Sequence, residues 1–368
     1  MKDFTMKVFF LCQIDLAQPL ITQGPFDVIV HKLSDVIVEA EHDSQSQQLL
    51  TNFQSYVSAH PSTVLLDPLP AMTQLLDRFA SYRIMNWHIC SPPYLEIHSS
   101  SDVSSLQQAF FFFCKTRVAH GSLSHEMSLI FSAGSLADIH PPCVLQSFVN
   151  HGAVLHKVFV VGDRHFCVER PSLKNFPSGP CDRKTIFFNS HQVSKPESSS
   201  DLTALDEQVP CLPPPSSEAV AALVRELRTQ LGMALFGVDV IINLHTHTLT
   251  VIDINIFPGY EGVPQFFSSL LSHIESVFNK QTFAGPQATS FPESAQTKGG
   301  PSFFFVLFFY PCCSKCHLCL SASMLNAISS FLLVSNRHFV ETFCTSIEKE
   351  NYSTLIYHLS SREQTSLE

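Results

Sequence analysis

Three oxygen-bearing side chains, those of Asp239, Asp253 and Asn255, lie on two neighbouring segments with the composition of β-strands. The segments VDVIIN and TVIDIN are rich in β-branched residues and flank a polar stretch of the kind that turns a chain. A turn centred on Thr246 would place Asp239 opposite Asp253, and Asn255, two positions further on, would point to the same side. The residues expected on the opposite, core-facing side are Val240, Ile242, Ile252 and Ile254.

Two carboxylates and an amide carbonyl are hard oxygen donors, which suit Mg²⁺ better than zinc. The pattern therefore predicts a site for one or two Mg²⁺ ions that carry substrate phosphates. The segment FPGYEG follows at residues 257–262, and its two glycines would allow a turn whose backbone N–H groups face an anion. The alternative is a half-buried ribbon whose acidic residues face water.

The charge distribution favours a small anionic ligand. The 368 residues carry a net charge of −10 with a pI near 5.9, which argues against a general nucleic-acid or membrane-surface binder. Residues 110–195 reverse this balance, with nine Lys or Arg against five Asp or Glu. In this region Lys115 lies on a predicted strand that is followed by the glycine-bearing loop VAHGSLSHEM, an arrangement suited to binding phosphate.

Several segments of the chain resemble one family of ATP-grasp enzymes. The strand VIDIN, ending in FPGYEG and paired with a second Asp, resembles the last metal-binding strand of the ATP-grasp fold. The segments CKTRVAHGSLSHEMSLIF, PPCVLQSFVNHGAVLHKVFVVGD, ERPSLKNFPSG and IFFNSHQVSKPESSS are similar to those of the inositol 1,3,4-trisphosphate 5/6-kinase family. The resemblance covers residues 23–281 with interruptions and does not include the tail.

The resemblance implies a role for individual residues. Catalysis would involve Lys157, His125 and Asp253. ATP would contact His88 (in place of the family's Arg), Lys115, Gln146, Ser147, Phe148, Val149, Lys157, Ser172, Ser190 and Ser194. Inositol phosphate would contact Lys32, His125, Lys157, Asn255 and Gly259, and Mg²⁺ would be held by Asp239, Asp253 and Asn255. From the residues alone, a structural His125, an exposed strand Lys157 and a solvated Lys32 are open alternatives.

The implied reaction is Mg²⁺-dependent transfer of the ATP γ-phosphoryl group to a ring hydroxyl of an inositol polyphosphate. The implied acceptors are inositol 1,3,4-trisphosphate, at position 5 or 6, and inositol 3,4,5,6-tetrakisphosphate, at position 1. Two alternatives stay open, namely an ATP-grasp carboxylate ligase with the same metal site and a catalytically weak, nucleotide-binding isoform. The change to His88 favours the second alternative, because a neutral imidazole binds a triphosphate less strongly than a guanidinium does.

The expected fold is α/β (α+β), with the ATP-grasp arrangement. We assign an N-terminal α/β domain to residues 1–75, a central lid domain to 76–145, a C-terminal metal-binding domain to 146–281 and a poorly ordered tail to 282–368. Helices are predicted at residues 45–59, 72–85 and 124–131, strands at 7–15, 26–32 and 109–118, and a linker at 99–105. A further helix, capped by Ser216 or Ser217 and closed by Gly232, is predicted to support the metal hairpin.

The two ends of the chain depart from the family pattern. No segment in residues 1–15 matches the family's first strand and its phosphate-binding lysine, so the N-terminal domain is predicted to be truncated. The tail contains FFFVLFFY and the cysteines Cys313, Cys316 and Cys319, whose spacing lacks the fourth cysteine of an iron–sulfur motif. Irregularly spaced cysteines without a secretory leader predict reduced thiols and a cytoplasmic location. We expect a monomer whose partners are ATP and inositol polyphosphates, without nucleic-acid or membrane partners.

Overall fold

In a computed structural model, the described part of the chain contains three β-sheets. The structure describes residues 8–87, 89–106, 111–121, 124–177, 183–204, 212–283, 303–309 and 355–358. The strands are β1 (Val8–Gln13), β2 (Val28–His31), β3 (Val64–Leu66), β4 (Tyr94–Ile97), β5 (Phe112–Thr116), β6 (Glu126–Ile130), β7 (Cys143–Ser147), β8 (Val154–Val161), β9 (Arg164–Pro171), β10 (Ile186–Asn189), β11 (Leu235–Ile242), β12 (Leu249–Ile256), β13 (Phe303–Phe309) and β14 (Leu355–His358). The α-helices are α1 (Ser34–Glu39), α2 (Ser44–Ala59), α3 (Leu69–Thr73), α4 (Arg78–Asn86), α5 (Ser100–Ser104), α6 (Ser190–Val193), α7 (Ser217–Leu231) and α8 (Phe266–Phe283).

The chain divides into two units, residues 1–66 with 281–368 and residues 67–280. The first unit contains a sheet with the strand order β14-β1-β13-β2-β3, in which only β14 runs antiparallel to its neighbour. The predicted strands at 7–15 and 26–32 are confirmed as β1 and β2. Residues Val28, Ile29 and Val30 are buried, as expected for a parallel strand covered on both faces.

The tail contributes two strands to this sheet. Strand β13 lies between β1 and β2 and pairs in parallel with both, whereas β14 pairs with the outer side of β1. An unbroken apolar run such as FFFVLFF is suited to an interior parallel strand. The expectation of a poorly ordered tail at residues 282–368 stays a prediction. The cysteines Cys313, Cys316 and Cys319 lie outside the described residues.

The second unit contains two antiparallel sheets. One has the order β10-β6-β5-β7-β4 and the other has the order β12-β11-β8-β9. Strand β7 crosses the expected domain boundary at residue 145, and β10 joins the sheet of the preceding segment, so the lid sheet draws on both sides of that boundary. The assignment of three domains stays a prediction.

Three local predictions in this unit are wrong. The helix expected at 124–131 is absent, and Glu126–Ile130 forms strand β6, because pairing with β5 and β10 overrides the helical preference of Glu, Met and Leu. The linker at 99–105 contains α5, which starts with a capping box formed by Ser99 and Asp102. The helix at 72–85 is divided into α3 and α4, since the Asp77 side chain accepts from the Phe79 N–H and begins a new helix.

Helix α7 matches its prediction closely. The Ser216 hydroxyl accepts from the Ala219 N–H at 3.1 Å, and Gly232 ends the helix with a φ of 65°. The apolar face of α7 is buried through Val220, Val224, Leu227 and Leu231. In the described part of the chain no helix combines the length and apolar character that a membrane crossing requires.

Candidate active site

The hairpin of β11 and β12 brings the predicted metal ligands together. Asp239 lies directly opposite Asp253 and Gly237 opposite Asn255, so the pairing expected from a turn at Thr246 is confirmed. A β-bulge follows Asp239 and shifts the register, because Val240 pairs with Val251. The side chains of Val240, Ile242 and Ile254 are buried as predicted, whereas the extra residue Ile252 is only partly buried.

A row of charged residues crosses three strands of this sheet. Lys157 on β8 is the direct neighbour of Asp239 on β11, which in turn faces Asp253 on β12. The Lys157 Nζ lies 3.2 Å from both carboxylate oxygens of Asp239. Because direct neighbours on adjacent strands point to the same side, one face of the sheet presents two carboxylates beside an ammonium group.

A second lysine reaches this row from the other sheet. Lys115 on β5 is buried, and its Nζ donates to the Asp253 Oδ2 at 3.3 Å and to the Ile252 carbonyl at 3.0 Å. The ammonium group also lies 5.4 Å from the ring centre of Tyr82 and 5.1 Å from that of Phe113. Burial lowers the pKa of Lys115, and the charge of Asp253 opposes that effect.

The carboxylate of Asp253 is held in its ionised form. Burial alone would raise its pKa, but the charges of Lys115 and Arg78 outweigh burial, so the pKa lies below its ordinary value. The described residues contain no group of three or more His, Cys, Asp or Glu that could hold a metal. The donor set is instead two opposed carboxylates with the Asn255 amide one step along the same face, and this all-oxygen set fits Mg²⁺.

The segment after β12 has a strained backbone. Phe257 and Tyr260 have positive φ angles of 34° and 50°, and Gly262 has a φ of 82°. The turn is fixed by the Tyr260 hydroxyl, which donates to the Val160 carbonyl at 2.8 Å. Gly259 is exposed and has no positive φ, so the left-handed conformations of this turn belong to Phe257, Tyr260 and Gly262.

His125 precedes β6 and forms a pair with His191. The two Nε2 atoms lie 2.9 Å apart, and the His125 Nδ1 lies 3.3 Å from the Ser190 Oγ. Burial, followed by the charges of His191 and Arg78, lowers the pKa of His125 to about 4. At neutral pH this ring therefore offers a hydrogen bond but no positive charge.

The segment predicted to contact adenine is partly engaged in bonds within the protein. The Ser147 N–H donates to Pro93 O at 2.8 Å, and the Phe148 N–H donates to Phe111 O at 3.1 Å. The Val149 carbonyl accepts from the His151 Nδ1 at 2.7 Å. Gln146 is buried, and its side-chain Oε1 accepts from the Tyr82 hydroxyl at 3.0 Å.

The other predicted contacts are distributed over the chain. The Ser172 hydroxyl is buried and bonds to the His151 Nε2 at 2.8 Å, and the Ser194 N–H donates to the Ser190 carbonyl at 3.0 Å. Lys32 follows β2 in the first unit, where burial lowers its pKa against the opposing charge of Asp35. His88 lies outside the described residues.

Two residues of the site were not predicted. Tyr82, on α4, is buried, and its hydroxyl lies 3.5 Å from the bulged Ile252 carbonyl that also binds Lys115. Arg78, on the same helix, is buried beside the strand that carries Lys115. A signal was present in the segment LLDRFA, where a charged residue stands among apolar ones near a helix start.

Comparisons with known proteins identify the family of the chain. The model of the inositol 1,3,4-trisphosphate 5/6-kinase ATP-grasp domain matches residues 84–276, and that of the same family's pre-ATP-grasp domain matches residues 4–72. The chain is 52% identical over 290 residues to the inositol-tetrakisphosphate 1-kinase of Danio rerio, and this alignment covers 75% of the chain and 73% of the relative. It is 52% identical over 283 residues to that of Xenopus laevis, covering 73% and 72%, respectively.

A plant relative, inositol-tetrakisphosphate 1-kinase 3 of Oryza sativa subsp. indica, is 34% identical over 291 residues, covering 75% of this chain and 77% of the relative. The α/β ATP-grasp fold predicted from the sequence is confirmed by the family match. Models of one family match most of the length of the chain, and two relatives are identical to it at about half of the aligned positions. The chain therefore belongs to the inositol 1,3,4-trisphosphate 5/6-kinase family of ATP-grasp enzymes.

Proposed function

We propose that this chain is a Mg²⁺-dependent kinase that transfers the γ-phosphoryl group of ATP to a ring hydroxyl of an inositol polyphosphate. Membership of the family supports this activity, and the relatives are named inositol-tetrakisphosphate 1-kinases. The observation that carries the proposal is the row Lys157–Asp239–Asp253, which Lys115 joins from the other sheet. Phosphoryl transfer needs such a set of charges, because its main demands are positioning and neutralisation.

The metal would be held by Asp239, Asp253 and Asn255. Kinases of the ATP-grasp family use ATP with Mg²⁺, and the binding of two ions, with Asp253 between them, is our proposal. Bound Mg²⁺ would neutralise the charge of the nucleotide phosphates. The lowered pKa of Asp253 supports this role, since an ionised carboxylate is the form that binds a cation.

Lys115 and Lys157 would bind phosphate after a change of partner. In the structure each ammonium group is paired with a carboxylate of the same charged row. Once those carboxylates are engaged by the metal site, both ammonium groups are free to donate to phosphate oxygens. Lys157 is the more accessible of the two, with 26% of its side chain exposed against 4% for Lys115, so we assign it to the transferred phosphoryl group.

The adenine and ribose contacts rest mainly on the family resemblance. Because the Ser147 and Phe148 N–H groups already have partners, Val149 is our choice for the N–H that meets the adenine edge. The further nucleotide contacts that we propose are Gln146, Ser172, Ser190, Ser194 and His88.

The acceptor would be bound by neutral and charged donors together. His125, with its pKa near 4, would donate a hydrogen bond to an acceptor phosphate. Gly259 is exposed, and a Cβ built there would meet only Glu261, at 3.8 Å, so a phosphate could approach the backbone closely. Asn255, Lys157 and Lys32 complete the proposed set. No side chain has to act as a nucleophile.

The alternatives differ from this proposal in the acceptor and in the rate. A carboxylate ligase would use the same metal site, but the family match supports a kinase. A weak, nucleotide-binding isoform would keep the metal site and bind ATP without turnover. The monomeric state, the cytoplasmic location and the exclusion of nucleic-acid and membrane partners stay predictions from composition.

An isotope-labelled ATP assay against a panel of inositol phosphates tests the proposed function. We expect Mg²⁺-dependent label transfer to inositol 1,3,4-trisphosphate or inositol 3,4,5,6-tetrakisphosphate. A parallel reaction with D-alanine and hydroxylamine, which traps acyl phosphates, should stay blank. Nucleotide binding without label transfer to any acceptor would contradict the proposal and support the weak isoform.

A further inference from the structure

Arg78 is a buried arginine whose charge has no carboxylate partner among the described residues. Only 4% of the residue is exposed, and the salt bridges of the described part of the chain do not include it. Its guanidinium instead donates to oxygen atoms of the segment between β5 and β6. A buried charge is costly unless it makes strong hydrogen bonds, so this set of bonds indicates a specific role.

The guanidinium of Arg78 joins the two ends of that segment. At the start, its Nη1 lies 2.6 Å from the Thr116 carbonyl, 3.0 Å from the Thr116 Oγ1 and 3.0 Å from the Val118 carbonyl. At the end, its Nη2 lies 2.9 Å from the Ser124 carbonyl. Two main-chain bonds hold the start in addition, from the Arg78 N–H to Arg117 O at 2.8 Å and from the Ala119 N–H to Leu76 O at 2.9 Å.

The residues just outside these two ends are both proposed phosphate contacts. Lys115 immediately precedes Thr116, and His125 immediately follows Ser124. Lys115 is assigned to the nucleotide and His125 to the acceptor. A group that fixes Thr116 and Ser124 relative to each other therefore fixes the two phosphate-binding side chains as well.

We propose that Arg78 is a positioning residue that sets the separation between Lys115 and His125, and with it the alignment of donor and acceptor for phosphoryl transfer. This inference rests on the proposed function. A planar guanidinium suits the task because its donors point in fixed directions toward several acceptors at once. A lysine at the same place would keep the charge but would bind only one end of the segment.

The charge of Arg78 also acts on two other groups of the site. Its positive charge is one of the influences that lower the pKa of His125, after burial and His191. The same charge helps, after Lys115, to keep the Asp253 carboxyl ionised. One buried cation therefore acts on an acceptor contact and on a metal ligand without touching either.

The kinetic test compares Arg78→Lys with Arg83→Lys. Arg83 lies on the same helix and pairs with Glu96 at the surface, so its variant is a matched control for loss of a guanidinium. We expect Arg78→Lys to lower kcat about 100-fold, the scale of a misplacement of about 1 Å. The KM for ATP should change less than about threefold, because Lys115 keeps its bonds to Ile252 and Asp253.

Hydrogen exchange supplies a readout that does not depend on activity. Amides of residues 117–121 and 124–125 should exchange faster in Arg78→Lys than in Arg83→Lys, with the rest of the protein unchanged. If the wild-type protein transfers no phosphoryl group, the proposed function is wrong, but this exchange measurement still tests the role of Arg78. Unchanged exchange in the segment, together with unchanged kcat, would overturn the inference.

A second variant covers the case in which Arg78→Lys does not fold. Thr116→Val keeps the volume of the side chain but removes the hydroxyl that accepts from Arg78 and donates to the Val118 carbonyl at 3.0 Å. It should reproduce both effects on a smaller scale, with faster exchange in residues 117–121 and 124–125 and a severalfold fall in kcat. A folded Thr116→Val protein with wild-type exchange and wild-type kcat would overturn the inference without the arginine variant.

Discussion

At the scale of single residues, His125 illustrates how environment selects one chemical property of a side chain. A histidine beside a phosphate site could supply either charge or a hydrogen bond. Here burial first, and then the nearby His191 and Arg78, lower its pKa to about 4, so the hydrogen bond is the property that remains at neutral pH. The pair with His191 orients the ring through its Nε2.

We therefore expect His125→Gln to retain more activity than His125→Ala. The amide of Gln is neutral and can still donate, whereas Ala leaves the acceptor phosphate without that partner, a loss of about 1.5 to 3 kcal/mol or roughly ten- to a hundredfold. The measurement is kcat/KM for the inositol phosphate in the two variants. Between pH 6 and 8 the wild-type profile should show no ionisation from His125. An ionisation near pH 6.5 that disappears in His125→Gln would contradict this assignment.

Asp67 makes a second prediction at this scale. Its buried carboxylate accepts from the Ala234 N–H at 2.7 Å and the Leu235 N–H at 2.8 Å, and burial raises its pKa from 3.8 to about 6. The folded state thus binds the proton more tightly than the unfolded state. The stability that this proton contributes is present in full below pH 3.8 and is lost as pH rises through about 6, up to about 3 kcal/mol.

The check for Asp67 is the change in free energy of unfolding between pH 4.5 and 7.5. The downward slope of the wild type should be reduced in Asp67→Asn. Asp163→Asn serves as the control, because a bond from Arg228 lowers the pKa of Asp163 and moves its effect to more acidic conditions. Equal slopes in the wild type and Asp67→Asn would show that Asp67 does not titrate in this range.

At the scale of elements, two glycines with left-handed backbone conformations test how the turns around the site contribute to stability. Gly162 joins β8 to β9 with a φ of 59°, and Gly232 ends α7 with a φ of 65°. A Cβ at Gly162 would overlap the imidazole of His273, whereas a Cβ at Gly232 would meet nothing within 4 Å. Gly232→Ala should therefore cost only the conformational strain, about 1 to 2 kcal/mol.

Gly162→Ala should be clearly more destabilising than Gly232→Ala, because overpacking adds about 1 to 3 kcal/mol to the same strain. Chemical denaturation of both variants measures the difference. If Gly162→Ala were no less stable than Gly232→Ala, the close packing of α8 against the β8–β9 turn would be wrong.

Local patterns predicted some of these elements well and others poorly. The hairpin register and α7 followed from alternation, capping and the closing glycine, all of which act within a few residues. The β-bulge after Asp239 was not predicted, since nothing in the alternating sequence marks it. Strand β6 was mistaken for a helix because its pairing partners, β5 and β10, lie outside the local window.

The candidate site, too, could be predicted only in part from local sequence patterns. The carboxylates on one hairpin could be paired from the sequence, but their lysine partners come from β5 and β8, far away in the chain. Arg78 and Tyr82 act through contacts with residues that are tens of positions or more away, which periodicity does not reveal. Roles that depend on resemblance, such as those of Ser172 and Ser194, stay predictions.

At the scale of the whole molecule, the boundaries of the family matches lie near the division between the structural units, whereas strand pairing joins residues that are far apart in the sequence. The pre-ATP-grasp match ends at residue 72 and the ATP-grasp match begins at residue 84, near the division between residues 66 and 67 in the structure. Strand β13, however, pairs with β1 and β2 across nearly the full length of the chain. Such non-local pairing is outside the reach of a local sequence pattern.

We propose that the Asp239–Asp253 pair holds Mg²⁺ for phosphoryl transfer to an inositol phosphate. The most direct measurement is the Mg²⁺ dependence of kcat with inositol 1,3,4-trisphosphate in the wild type and Asp253→Asn, with the product identified by NMR. We predict a new phosphate ester at ring position 5 or 6 in the wild type, and a rate at least about 100-fold lower in Asp253→Asn at saturating Mg²⁺. Equal rates for the two proteins, or no new ring phosphate in the wild type, would contradict the account.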